Sequence, residues 1–376
     1  MSNLLYNATQ PSSLKSAYGE NDILDFIIKL PVGRSISAGS FRLSGNVSVT
    51  CNRTTDGGAI KLADHIHLDA FAGIHSVIRS VNTSVNNSGI ENNQMYNRSV
   101  SMQRQATNHL ESLNTSSTLM SELCGTMNSF SLVGGSTSFS MLPMIAINQA
   151  SADLSSDKFS VIQISLTLAN AVEAFYTDRK AEEEYMTDGG TKFTEIFYSL
   201  SDLQLEFIEM MVPTPTKEMV IMPVKHLYQQ SVNNATSYLN ITTPVMYNSV
   251  AVSFIEQSKR NSIFHNNLMS QFIKGLDGLG GSLEIMINSS DTPIPYKIET
   301  YQETAINYLK SLNGNIAQNV IVNEFLNKEV SFGIGFSLMT SSNDRVAIAL
   351  KIDGKAYNDI IPAFDAFMFV NSFITM

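Results

Sequence analysis

Tryptophan is absent from these 376 residues, and cysteine occurs only at Cys51 and Cys124. Positive charge is short as well, with 24 basic against 34 acidic residues and a net charge of −10. Each shortage removes a class of function. Wrapping nucleic acid requires Lys and Arg to displace counterions, so an acidic chain is not expected to bind nucleic acid directly or sequence-specifically. The Cys51/Cys124 spacing fits no zinc or redox motif and reads as two unpaired thiols in a reducing compartment. No apolar run reaches the roughly 18 residues needed to span a bilayer, and no hydrophobic signal segment opens the chain. Synthesis in a cell interior is therefore expected, and sequons such as Asn52-Arg53-Thr54, Asn97-Arg98-Ser99 and Asn240-Ile241-Thr242 reflect a surface rich in Asn, Ser and Thr.

Catalytic motifs are missing too. The glycine clusters at Gly57-Gly58, Gly134-Gly135, Gly189-Gly190 and Gly275 to Gly281 lack phosphate-loop spacing and read as turns. No Gly-x-Ser-x-Gly elbow occurs, and neither cysteine has a nearby motif histidine. A paired-acid glycosidase needs two carboxyl groups about 5 to 9 Å apart and usually aromatic platforms, which the lack of Trp disfavours. Asp64-His65-Ile66-His67 would place two imidazoles on one strand face, but no third ligand follows at a defined spacing. His65 and His67 are read as the polar parity of a strand whose other face holds Ile60, Leu62, Ile66 and Leu68. No metal, cofactor or catalytic residue is assigned.

What the chain does have is alternation. From Ser40 to Cys51, Phe41, Leu43, Val47, Val49 and Cys51 share one parity and polar residues take the other, as in a strand with one buried face. The same period returns in Ile162 to Leu168, Leu203 to Phe207, Leu283 to Ile287, Val330 to Leu338 and Val346 to Ile352. Gly333 and Gly335 alternate inside one such run, where missing side chains allow close approach of another sheet or loop. The fold class is all-β with a few inserted helices, mostly antiparallel sheet with one covered face.

The length exceeds the roughly 250 to 300 residues at which one core usually divides, so two domains are expected. Residues 1–20 are polar and aperiodic, and read as an extended arm that orders only against a partner. Val212-Pro213-Thr214-Pro215-Thr216, followed by Pro223, marks a linker over 213–223 between domains at 21–212 and 224–376. Each half carries one helix-like segment after a strand. Met95, Ser99, Met102, Ala106, His109 and Leu113 form a modest apolar stripe in the first, and Tyr301, Ala305, Tyr308 and Leu312 in the second. The preceding strands are Ser76 to Val85, with a turn at Gly89, and Ser282 to Asn288, with a turn at Pro293 and Pro295. Long polar loops lie at 114–140 and 177–191, where Glu182, Glu183 and Glu184 read as a solvated loop or helix end.

This layout resembles the double jelly-roll major capsid proteins of icosahedral DNA viruses, including tailless phages, virophages and related eukaryotic viruses. The similar stretches run from Ala70 to Val81, on to Gly89-Ile90-Glu91 and Tyr96-Asn97-Arg98. In the second half they are Ser253-Phe254-Ile255 to Asn266-Asn267-Leu268, and Ile294-Pro295-Tyr296. The resemblance implies two tandem eight-stranded antiparallel jelly-roll sandwiches in a compact member with short tower loops. Three such chains would make a homotrimeric, pseudo-hexameric capsomer that tiles an icosahedral shell. Partners would be neighbouring capsomers, penton and minor capsid proteins and an internal lipid membrane, with the chain located in the virion. The segment from Phe364 to Met376 is expected to form a C-terminal strand of the second roll. The alternative is a carbohydrate- or receptor-binding β-sandwich, an adhesin or spike, which would gather Tyr176, Tyr185, Tyr228 and Tyr238 into an exposed cluster.

Overall fold

A computed structural model of the chain describes residues 4–53, 58–59, 66–107, 120–124, 136–177, 193–211, 219–232, 236–243, 247–268, 282–285, 294–297, 334–337, 346–353 and 364–376. The first half supplies β1 (Leu4–Thr9), β2 (Ile23–Lys29), β3 (Arg34–Ile36), β4 (Arg42–Arg53), β5 (Gly58–Ala59), β6 (Ile66–Leu68), β7 (Ile78–Val85), β8 (Ser88–Asn93), β9 (Ser136–Met141), β10 (Leu154–Ser155), β11 (Val161–Leu168), β12 (Phe175–Thr177) and β13 (Phe193–Met211). Among the described residues they are interrupted by the α-helix α1 (Tyr96–Thr107), the single turn α2 (Ala171–Ala174) and a 3-10 helix at Gly73–Val77. The second half supplies β14 (Ile221–Val232), β15 (Thr236–Thr243), β16 (Tyr247–Glu256), β17 (Ser282–Ile285), β18 (Ile294–Lys297), β19 (Ile334–Ser337), β20 (Val346–Asp353) and β21 (Phe364–Thr375).

Among the described residues all strand pairings are antiparallel, as expected of alternating strands with one covered face. In the first half one sheet is built on the long ladder of β4 with β13, extended by β3, β10, β5, β9 and β1, and the other runs β2-β11-β7-β8. Alternation sets which side is covered. β11 buries Ile162, Ile164, Leu166 and Leu168 and leaves Val161, Gln163, Ser165 and Thr167 partly exposed. On β4, Leu43, Val47 and Val49 are buried. Gly45 sits between them, where an added Cβ would come within 2.7 Å of Leu203 and 2.9 Å of the Ser201 carbonyl. No larger residue fits that crossing without moving backbone.

The second half is organised around β21, the central strand of β14-β21-β16-β19, with β15-β20 and β17-β18 as two further pairs. The expected C-terminal strand is therefore present, with Phe367 and Phe369 buried and Phe373 exposed. Gly335 lies on β19 opposite Ala251 of β16. Gly333 and the expected helix over 301–312 lie outside the described residues.

Several expectations are corrected. Residues 4–9 do not await a partner to become ordered, because β1 pairs with β13 from Leu4 opposite Met210 to Thr9 opposite Leu205. Tyr18 continues this edge through reciprocal backbone hydrogen bonds with Leu200 and is buried. At the other end of the first half, Ile221 and Pro223 belong to β14 rather than to a linker. Pro223 is tolerated because β14 is an edge strand, where a missing N–H need not break a ladder. The turn before β8 is made by Asn86 and Asn87, with φ of 51° and 64°, and not by Gly89. Two successive left-handed residues suit the twist of a two-residue hairpin, and Asn adopts them readily. Pro295 lies within β18, opposite Glu284, rather than in a turn.

The core does not stop at the boundary between halves. Val220, Met222, Val224 and Ile263 join the cluster built on Phe26, Phe41, Val81 and Leu166 of the first half.

Candidate functional site: the seam between the halves and the polar cluster beneath it

Helix α1 carries two buried arginines whose positions, six residues apart at 100° per residue, lie about 120° apart around its axis. Arg98 reaches the second half. Its Nη1 donates to Ser253 Oγ of β16 at 2.9 Å, its Nη2 donates to the Asn267 carbonyl, and its guanidinium stacks 4.4 Å from the Phe367 ring centroid of β21. Arg260 approaches the same ring at 5.5 Å and donates to Asp365. Burial raises the Asp365 pKa, but hydrogen bonds from Ser231, Arg260 and Gln257 outweigh it and hold the carboxyl below its usual range.

Around this centre the halves are stitched by neutral and charge-assisted hydrogen bonds. Asn266 Nδ2 donates to Asp69 Oδ2 at 2.8 Å, and Asn267 Nδ2 to the Val172 carbonyl at 2.8 Å. The Thr177 N–H donates to the Ile263 carbonyl at 2.7 Å, and Lys158 Nζ to the Met376 carbonyl at 3.1 Å. Lys225 of β14 donates to Gln103 of α1. Beside it lies Glu91 of β8, buried, accepting the Ala146 N–H at 2.8 Å. Burial pushes Glu91 up to about 7, and burial draws Lys225 down to about 8 against the pull of Glu91.

Arg104 turns inward instead. It donates to Glu122, to Cys124 Sγ at 3.0 Å and to the Phe71 carbonyl at 3.3 Å, and lies 3.2 Å from His75 Nε2. His75 Nδ1 is 2.7 Å from the Tyr96 hydroxyl, which accepts the Met144 N–H at 2.9 Å. Burial and the neighbouring Arg104 charge both lower the His75 pKa, so the ring is neutral. Burial opposes ionisation of Glu122, but its contacts with His75, Arg104 and the Leu142 N–H bring it to about 2. The Cys124 thiol is pushed up to about 12 by burial, which makes it a packing group and not a nucleophile. Backbone geometry closes the cluster. Gly73 has φ +54°, and a Cβ there would lie 2.4 Å from the Glu122 carbonyl and 2.5 Å from Cys124 Sγ. Leu123, between them, is also left-handed at φ 55°.

The other residues singled out in the sequence fall as follows. His67 is buried rather than on a solvated parity, because Ile66, His67 and Leu68 are all covered and the imidazole lies 5.6 Å from the Tyr176 ring. His65, Tyr185 and Glu182 to Glu184 lie outside the described residues, as do the side chains of Cys51 and Tyr238. Among the described residues no group of three His, Cys, Asp or Glu side chains is placed to hold a metal ion, and no helix is long and apolar enough to cross a membrane. Tyr176 is buried, and Tyr228 is partly exposed on β14. The cluster around His75 was not visible in the sequence, since its members lie 49 residues apart end to end without a recurring spacing.

No protein-family model and no curated protein sequence matches the chain. Solved structures do. The Faustovirus major capsid protein matches with a TM-score of 0.62 at 8% identity, over 100% of this chain and 90% of that one. The PBCV-1 virus capsid matches with a TM-score of 0.58 at 8% identity, over 100% and 94%. The mavirus major capsid protein matches with a TM-score of 0.53 at 10% identity, over 99% and 90%. The chain has the double jelly-roll fold. Helix α1 faces both ways in this fold, with Arg98 at the seam and Arg104 inside the first half.

Proposed function

We propose that this double jelly roll is a viral major capsid protein, acting as a structural subunit of the virion without catalysis. The observation that carries the reading is coverage: both rolls and the seam between them are matched end to end by capsid proteins at 90% or more of those proteins' own lengths. The polypeptide passes from one roll to the other between β13 and β14, and two rolls in one chain give two similar corners. Three chains about a threefold axis then give a pseudo-hexagonal block able to tile an icosahedral shell. Its partners are two further copies in the capsomer, neighbouring capsomers, penton and minor capsid proteins and an underlying lipid layer. The buried seam supports this reading, because a tile needs its two rolls held at a fixed angle.

The rival reading, a glycan- or receptor-binding sandwich, needs exposed aromatic platforms, and Tyr176 is instead packed against His67. The test is molar mass by light scattering behind a sizing column, with electron microscopy of the same fractions. A particle of three chain masses with hexagonal outline, or shells, is expected. A stable monomer that binds a defined glycan would overturn the capsid reading.

A further inference from the structure

At the seam, β8 of the first half runs beside β14 of the second. Three elements bring reactive side chains to that place. Lys225 Nζ of β14 donates to the carboxamide oxygen of Gln103 on α1, and the Glu91 carboxyl of β8 is near enough for its charge to act on Lys225. Other lysines are placed differently: Lys15 and Lys259 pair with the carboxylates of Asp22 and Glu256, and Lys158 donates to the Met376 backbone carbonyl. A carboxylate resists attack by an amine, and a backbone carbonyl could be attacked only by breaking the chain. A side-chain carboxamide can be attacked without either cost, because its leaving group is ammonia. Burial also brings the two ionisable groups towards each other, Glu91 up to about 7 and Lys225 down to about 8 against the pull of Glu91. The neutral, nucleophilic amine is thus accessible near neutral pH.

We propose that Lys225 and Gln103 join through an ε-(γ-glutamyl) isopeptide bond, which fastens α1 of the first half to β14 of the second. The carboxamide first turns so that its face, and not its oxygen, meets the amine. The Nζ lone pair then forms a bond to Gln103 Cδ and the Cδ–Nε2 bond breaks. Glu91, directly or through water, carries the proton released by Nζ to Nε2, which departs as ammonia. No oxidant, cofactor or second protein is consumed. The bond closes a loop between positions 122 residues apart, so the seam stays tethered even when both halves unfold. The inference does not depend on the capsid reading.

The test is mass spectrometry of the folded full-length chain after prolonged incubation at neutral pH. Its mass should fall one ammonia below that of the sequence. Trypsin should then release Ser99–Arg104 joined to Glu218–Lys259, because an acylated Lys225 is not cleaved. Lys225→Arg and Gln103→Met should each keep the full mass, and Glu91→Gln should slow formation of the joined peptide by roughly a hundredfold. A folded parent chain that keeps its full mass and yields Ser99–Arg104 and Glu218–Lys225 as separate peptides overturns the proposal. So does an ammonia loss that persists in Lys225→Arg, since it then arises at another amide. Formation at the parent's rate in Glu91→Gln would overturn the part assigned to Glu91.

Discussion

Glu91 and Glu122 are both buried in the first roll, 4% and 1% exposed, and their carboxyl groups are driven in opposite directions. Glu91 rises to about 7 at the seam, whereas Glu122 falls to about 2 beneath α1. Burial raises both. The difference is that Glu122 contacts Arg104, His75 and a backbone amide, while Glu91 accepts one amide and feels Lys225 only as a charge. At Glu122 direct donors add to the neighbouring positive charge and outweigh burial, whereas at Glu91 one amide and the charge of Lys225 do not. The first roll is thus locked by a charge that is matched, and the seam contains one that is not.

Glu122→Ala is expected to have the largest effect. It strands the Arg104 guanidinium, and the expected loss is about 3 to 5 kcal/mol in urea unfolding. An unchanged midpoint would show that Arg104 finds another partner.

The two carboxyl groups respond to pH in opposite senses. Glu122, with its folded pKa depressed, contributes stability that is present above pH 4.5 and lost as pH falls toward about 2. Glu91, with its folded pKa raised, favours the folded state less as pH rises from 4.5 to about 7. Their summed contribution is therefore greatest near pH 4.5. Glu91→Gln should remove the decline between pH 5 and 7, a change on the order of 2 to 3 kcal/mol, measured by denaturant melts across that range. A decline that persists in the variant assigns it to another group.

Smaller, and different in kind, is Arg98→Ala. Loss of two charge-assisted hydrogen bonds and a cation–π contact should cost about 2 kcal/mol and separate the unfolding of the two rolls into two calorimetric transitions. Arg98→Lys, which keeps the charge and loses the fork, should cost about 1 kcal/mol and leave one transition. Two transitions in the parent would mean that the seam does not couple the rolls.

How much of this could be read from the residues depended on how local the cause was. The strands β4, β11 and β13 were legible because a covered face imposes period two on consecutive positions. β1 was not, because a strand exposed on both faces has no apolar parity to display. α1 was read as a helix with a modest apolar stripe, and its polar positions proved to be covered as well. Asn97, Arg98, Ser99, Ser101 and Arg104 are all buried there, and Asn97, Arg98 and Arg104 are satisfied across the seam or inside the first roll by partners that sequence distance hides. His67 was misplaced for a related reason, since both faces of β6 are covered. The edge proline of β14 looked like a linker because a missing donor reads the same way in both settings.

The ladder between β1 and β13 also has a meaning in time. Leu4 leaves the ribosome about 200 residues before its partner Met210, which at about 5 to 20 residues per second is a delay of about 10 to 40 seconds. The second roll repeats the arrangement, with β14 waiting for β21 at the far end of the chain. Each roll is sealed by one of its last strands, so the first can close while the second is still being made.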